Sequence, residues 1–342
     1  MRAETTCMFR EAAQAPEAVR VQLAANAAPV ARLAERLRRA PPRAVVTLAR
    51  GSSDHAATFA RYLIETRLGL LTSSAAPSVS SVYDAATNLA GTLMLTISQS
   101  GASPDLLAVA SRAREAGAHV VALVNAEHSP LAQLADVLLP LHAGSERSVA
   151  ATKSYIASLA AIVQLVAAWA EDPTLATALG EAPQLLADAW QLDWSAAVAP
   201  LTTATNLYVV GRGLGLGIAQ EAALKLKETC GLHAEAVSAA ELRHGPMAIV
   251  RAGFPLLIFS QDDESRAGIV QLSRELAAGG ADVLLAGTAL AHTMELPTQH
   301  AHPVIAPLLF AQSFYRLATM LSLARGLDPD APPHLRKVTE TL

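Results

Sequence analysis

Residues 92–116 read TLMLTISQSGASPDLLAVASRAREA, and this stretch decides the fold class. Thr92-Leu93-Met94-Leu95-Thr96-Ile97 is a short, nearly continuous apolar and β-branched run, the pattern of a strand buried on both faces. Ser98-Gln99-Ser100-Gly101-Ala102-Ser103 is a turn of small and hydroxylated residues. Pro104 to Ala116 then reads as a helix, with proline at the start, where its missing N–H costs nothing. Strand, small-residue turn and helix make the opening of a parallel βαβ unit.

The pattern recurs on either side. Upstream, Ala44 to Ala49 is a strand, Arg50-Gly51-Ser52-Ser53 a turn, and Asp54 onward a helix closing near Gly69. Ser78 to Tyr83 is expected as a short strand. Downstream come a strand at His119–Val124, a short helix at Pro130–Ala135, a strand at Val137–Leu141 and a long helix at Ala150–Ala170. The theme restarts at Leu207–Val210, followed by a Gly211–Gly213 turn and a helix running through Glu221. Strands are predicted at Phe254–Phe259, Ala281–Leu285 and, more weakly, His302–Ala306, with helices at Ala267–Ala278 and Pro307–Arg325. The strand ending in Ser260-Gln261 echoes the one ending in Ser98-Gln99. The halves read as two copies of one α/β unit. Each is expected to be a parallel sheet flanked by helices, three layers deep and flavodoxin-like. The predicted organisation is a helical arm at 1–40 ended by Pro41-Pro42, a first domain at 41–172, a helical connector at 173–200, a second domain at 201–326 and a tail at 327–342.

Composition narrows the function classes. The 342 residues are 52% hydrophobic and 16% charged, enough for substantial cores. The net charge is −4 and no basic run stands out, which argues against nucleic acid as a partner. The two cysteines, Cys7 and Cys230, show no paired spacing, so neither a disulfide framework nor a zinc site is indicated, and a reducing cytoplasm fits. The N-terminus, MRAETTCMFREAAQAP, has no apolar core of the kind a signal peptide needs. The most apolar run, Tyr155 to Ala170, falls short of the roughly 20 residues that cross a bilayer and reads as a buried helix.

Three stretches carry candidate chemistry. The turn after Ile97 offers Ser98, Gln99, Ser100 and Ser103 beyond the carboxyl end of a strand, where open α/β sheets bind ligands, and Gly101 permits close backbone approach. A phosphate held by neutral donors fits this turn, and so does a plain set of helix caps. Gly211-Arg212-Gly213-Leu214-Gly215-Leu216-Gly217 fails the dinucleotide register, because Leu216 stands where the third glycine belongs. Residues 221–246, EAALKLKETCGLHAEAVSAAELRHGP, open as a helix with Glu221, Lys225 and Glu228 on one face and Gly231 as its stop. Spacing alone leaves this face open between a solvated ion-pair stripe and proton-transfer groups. His244 has a pKa suited to acid–base work. His233 lacks a second histidine at i+4, so no metal is expected.

These motifs, in this order, together with the C-terminal LRKVTETL, identify the chain as resembling the sugar isomerase (SIS) family. More narrowly, it resembles the isomerase half of glucosamine-6-phosphate synthase (glutamine–fructose-6-phosphate aminotransferase) and the stand-alone SIS-type glucosamine-6-phosphate deaminases. The resemblance runs from about Met8 to Leu342. It implies a sugar-phosphate cradle of Ser53, Ser98, Gln99, Ser100 and Ser103, with Val149 and Ala151 lining the sugar. It also implies Glu228 as the group moving a proton between C1 and C2, Lys225 as its helper, His244 as a ring-opening histidine lent to a partner subunit, and Lys337 as a tail lysine closing over the open-chain sugar. A homodimer without cofactor or metal is expected. Arg2 stands where the synthase's processed cysteine would lie, so no glutaminase activity is expected. Ser103 replaces a threonine, Ala102 a glutamate, and Arg336 a small residue. The expected activity is conversion of glucosamine 6-phosphate to fructose 6-phosphate and ammonia. The alternatives are action on another amino-sugar or fructosyl-amine phosphate, and a non-catalytic sugar-phosphate sensor.

Overall fold

A computed structural model describes residues 2–335 and 337. In chain order the regular elements are α1 (Cys7–Ala12), α2 (Ala15–Arg39), β1 (Val45–Leu48), α3 (Ser52–Leu68), β2 (Thr72–Ser74), α4 (Pro77–Ser81), β3 (Leu93–Ser98), α5 (Pro104–Glu115), β4 (His119–Val124), α6 (Pro130–Leu134), β5 (Val137–Pro140), α7 (Lys153–Trp169) and α8 (Pro173–Gln191). They continue with α9 (Val198–Thr202), β6 (Asn206–Gly211), α10 (Gly215–Cys230), β7 (His233–Ser238), β8 (Pro255–Phe259), α11 (Arg266–Ala278), β9 (Asp282–Ala286), β10 (Met294–Leu296) and α12 (Ala306–Ala324). The chain separates into two compact units. One holds residues 17–146 and 153–180 with Lys337; the other holds 1–16, 147–152 and 181–335.

Each unit contains one five-stranded, all-parallel sheet, ordered β2-β1-β3-β4-β5 in one and β7-β6-β8-β9-β10 in the other. Numbered from its own first strand, each sheet runs 2-1-3-4-5, so the repeat read from the pattern is real. All six residues of β3 are buried, as a strand covered on both faces requires. In the first unit Leu48, Met94, Val109, Val120 and Ala122 pack into one core under α5. A fully buried side chain of this size contributes about 1.5–3 kcal/mol. The apolar run at 155–170 is the buried helix expected: in α7 every residue except Gln164 and Ala168 is buried. In the second unit Arg325 gathers backbone carbonyls, its Nη1 donating to Leu201, Thr202 and Ala204 and its Nε to Cys230.

Two expected strands are absent. Ser78–Tyr83 lies in and after the short helix α4, with Pro77 in its first turn. Val82 and Tyr83 are exposed and have no sheet face to cover; the edge position belongs to Thr72–Ser74, which pairs with Val45–Thr47. His302–Ala306 is a turn. The His302 carbonyl accepts from the amides of Ile305 and Ala306, and its Nδ1 accepts from Val304, which starts α12 instead. The sheet edge there is Met294–Leu296. After the Gly231 stop, His233–Ser238 forms the strand β7, which the sequence reading did not assign.

The chain's start and its later residues meet in the second unit. The Asp330 carboxylate accepts from the amides of Cys7 at 2.6 Å and Met8 at 2.8 Å, capping α1. Phe9 packs edge-on against Trp190, and Gln312 donates to the Ala12 carbonyl.

Candidate active site

In the first unit, β1 and β3 are neighbours whose connections leave in opposite directions. Their carboxyl ends form the switch point where such sheets place ligands. The turn after β3 is locked from within. Ser98, buried, accepts from the Gly101 amide at 2.9 Å through its hydroxyl. Gly101 has φ 61°, and a Cβ there would lie 2.2 Å from the Ser129 hydroxyl, so only glycine fits. Ser103 occupies the position before α5 but its hydroxyl does not cap that helix. Gln99, Ser100 and Ser103 are half-buried, and Ser53, in the first turn of α3, is likewise half-buried at the end of β1. The structure thus brings Ser53 and the Ser98–Ser103 turn to the ends of adjacent strands, where α3 and α5 both begin.

Charged groups frame this turn. Arg50 spans the two connections: its Nε donates to Asp105 Oδ2 at 2.9 Å, and its Nη2 forms an ion pair with the same oxygen at 2.8 Å. The Asp105 side chain is fully buried, and its Oδ1 accepts from the Leu106 amide. Burial pushes the Asp54 carboxyl up from its ordinary range, partly offset by His55 and Arg50. Lys337 lies 3.6 Å from Glu146, whose buried carboxylate also accepts from the amide and hydroxyl of Ser154 at the start of α7. Arg336 lies outside the described residues.

In the second unit, the face read from the sequence is a buried cluster and not a solvated stripe. Lys225 is 1% exposed; its Nζ lies 2.5 Å from Glu228 and 3.5 Å from Glu221. Glu221 is fully buried and accepts from the Tyr315 hydroxyl at 2.9 Å. Glu228 alone of the three reaches solvent, its side chain 19% exposed near the end of α10. Burial pushes the Lys225 ammonium down, but Glu221 and then Glu228 more than offset it, and its pKa is raised. Such an arrangement holds one carboxylate at a helix end with its orientation fixed by a buried cation. Glu221 carried no role in the sequence reading, and Tyr315 was missed. The available signal was the apolar surround of Ala222, Ala223 and Leu226, which leaves little solvent for a charged face.

Val149 and Ala151 are half-buried on the segment 147–152. Glu11 holds this segment, accepting from the amides of Arg147 at 2.5 Å and Ser148 at 3.0 Å. Nothing in the pattern marked Glu11. His244 ends a single 3₁₀ turn, Glu241–His244, and is exposed. Gln261 is buried just beyond β8, beside β6, at the switch point of this sheet. Its amide donates to the Arg212 carbonyl at 2.8 Å and to Asp263 at 2.9 Å. A Cβ on Gly215 would lie 2.5 Å from Gln261 Oε1, and one on Gly211 would lie 2.1 Å from the Gly215 carbonyl. Close packing around that amide therefore explains these two glycines without a dinucleotide.

Among the described residues, no group of three or more His, Cys, Asp or Glu is placed to hold a metal ion, and no helix is long and apolar enough to cross a membrane. A cavity of about 600 Å³ lies in the first unit between Val46, Val79, Met94 and Val109, and none of the candidate residues lines it.

The SIS domain model matches residues 40–168 and 200–293. The glutamine–fructose-6-phosphate aminotransferase (isomerizing) of Zymomonas mobilis is 33% identical over 316 residues, covering 86% of this chain and 51% of the relative. The chain spans about half the length of the curated relatives it matches. A candidate phosphosugar isomerase from Silicibacter pomeroyi DSS-3 superposes with a TM-score of 0.91 at 43% identity, covering 95% of this chain and all of the other. The C-terminal domain of glucosamine-fructose-6-phosphate aminotransferase from Francisella tularensis gives 0.87 at 26% identity, covering 96% and 98%. Glucosamine-6-phosphate deaminase from Thermotoga maritima, at 20% identity and 0.79 over 98% and 100%, shares the fold.

Proposed function

The chain belongs to the SIS domain family, and from that premise we propose that it is a phosphosugar isomerase acting as a glucosamine-6-phosphate deaminase. The observation that carries the reading is the cluster on α10. Buried Lys225 grips Glu228 at 2.5 Å and leaves that carboxylate partly open to solvent, as a proton carrier requires. The serine turn at the first switch point supplies neutral donors for the 6-phosphate. The 43% identity to a candidate phosphosugar isomerase over its full length supports the reaction class.

In the proposed reaction His244, lent by a partner subunit of a homodimer, assists ring opening. Glu228 takes the proton from C2 of the open-chain amino sugar, giving a 1,2-enolamine. It returns the proton to C1, which leaves an imine at C2. Water adds to that imine, and ammonia departs to leave fructose 6-phosphate. Val149 and Ala151 line the sugar, and Lys337 covers its open end. No redox cofactor is needed, because the proton and electron pair stay within the substrate. A cytoplasmic setting accords with such a metabolite.

The test is to incubate the protein with a panel of hexosamine 6-phosphates and measure ammonia and ketose phosphate. Release of both from glucosamine 6-phosphate, with a loss of about 10²–10⁴-fold in Glu228→Gln and binding retained, is the expected result. Wild-type turnover by Glu228→Gln overturns the assignment of the base. Binding without ammonia release from any member overturns the enzyme reading.

A further inference from the structure

We infer that Arg50 is a specificity-determining residue of the first switch point, presenting its free guanidinium edge to the phosphate of the ligand. The inference rests on the sugar-phosphate reading of that turn and adds the cation that the reading lacks. Every group so far assigned to the cradle (Ser53, Ser98, Gln99, Ser100, Ser103) is uncharged, while a phosphate monoester near neutral pH carries between one and two negative charges.

Arg50 stands between β1 and α3, three residues before Ser53. Its partner Asp105 lies in the first turn of α5, two residues after Ser103. The guanidinium therefore bridges the two connections that make the cradle. It is anchored along one edge only. Nε donates to Asp105 Oδ2 and Nη2 pairs with the same oxygen, while Nη1 carries no hydrogen bond among the described residues, and the side chain remains 51% exposed. A guanidinium has five N–H donors in a rigid plane, so a fork spent on one carboxylate leaves donors facing outward for a second anion. Asp105 itself is fully buried and accepts from Leu106, so it holds the arginine in place while staying out of solvent. The geometry is that of a cation aimed by a buried acid. The starts of α3 and α5 at the same end add partial positive charge and favour the same anion.

The test compares wild type, Arg50→Gln and Arg50→Lys by calorimetric titration with inorganic phosphate, fructose 6-phosphate and fructose, each at low and high salt. Arg50→Gln is expected to weaken inorganic phosphate and fructose 6-phosphate by about ten- to hundredfold, the range for losing a hydrogen bond to a charged group. Its binding is expected to lose most of its salt dependence, and Arg50→Lys to recover much of the affinity. Fructose, lacking the phosphate, is expected to bind all three proteins alike. Equal phosphate affinity and salt dependence in wild type and Arg50→Gln overturns the inference. So does a loss that Arg50→Lys fails to restore and that appears with fructose as well, because Arg50 is then only a strut to Asp105. A wild type that binds fructose 6-phosphate but shows no Arg50 effect sinks this inference alone. A wild type that binds neither phosphate ligand sinks it together with the cradle.

Discussion

Replacing Lys225 with methionine tests whether the cluster on α10 is held by buried charge. Methionine keeps most of the lysine stem and removes the ammonium. Glu221 then keeps its Tyr315 hydrogen bond and its burial but loses the contact to the Lys225 ammonium. Breaking a buried pair by removing one member costs about 3–5 kcal/mol, a large part of the 5–15 kcal/mol that holds an ordinary domain together. Glu228 adds less, because solvent reaches it. The double variant Glu221→Gln/Lys225→Met removes both charges while the glutamine carbonyl still accepts from Tyr315. It is expected to regain all but about 1.5 kcal/mol of the loss, since exchanging both members of a buried pair is often nearly neutral. Urea unfolding followed by circular dichroism, at several pH values, reads these differences. The pH dependence has a definite sign. In the wild type the raised Lys225 pKa makes its contribution complete below the unfolded lysine value of about 10.4 and lost only above it. A single variant within about 1 kcal/mol of wild type at pH 7, or a double variant no more stable than the single, refutes the buried-charge account; both bounds are set against the cost expected for breaking such a pair.

Gly101→Ala is expected to cost more than about 1 kcal/mol from its left-handed backbone alone, and to weaken phosphate binding by displacing Ser129; urea unfolding and phosphate titration read the two effects. Glu146→Gln keeps one acceptor for Ser154, its new NH2 group able to donate to the Ser154 hydroxyl, but loses the charge facing Lys337, so trypsin is expected to cut after Lys337 faster than in the wild type, as intact-mass time courses would show. Cys230 is buried and its thiol is pushed up to about 11 by burial, so native protein at pH 8 is expected to react with a thiol reagent at Cys7 only and to expose Cys230 on unfolding.

The sheet strands that bear the core were legible because burial on both faces writes them as continuous apolar runs, as in β3, β4 and β8. The edges were not. β2 is three residues, Thr72-Ser73-Ser74, with only Thr72 buried, so no hydrophobic period exists to read. β7 does not alternate cleanly: its two buried residues, Ala234 and Val237, are three apart and so lie on opposite faces, while His233 and Glu235 are exposed. In the candidate site the serine turn was readable from position alone, since a hydroxyl-rich turn after a buried strand lies where ligands sit. The charged triplet was not, because Glu221, Lys225 and Glu228 have the same spacing on a wet helix as on a dry one. Only the packing of α12, which brings Tyr315 from 94 positions away, decides between them. Contacts of that kind, like Glu11 on residues 147–148, leave no mark in a local pattern.

The repeat carries a resident occupant in one half. At the second switch point the Gln261 amide takes the Arg212 carbonyl and Asp263, as a small polar guest might, but it is tethered to the chain. A tethered group competes at an effective concentration that dissolved molecules rarely match. A dissolved ligand at this switch point therefore meets a tethered amide, whereas the equivalent position in the first unit presents a turn of hydroxyls, so the two copies of the repeat differ in what they offer at the same place.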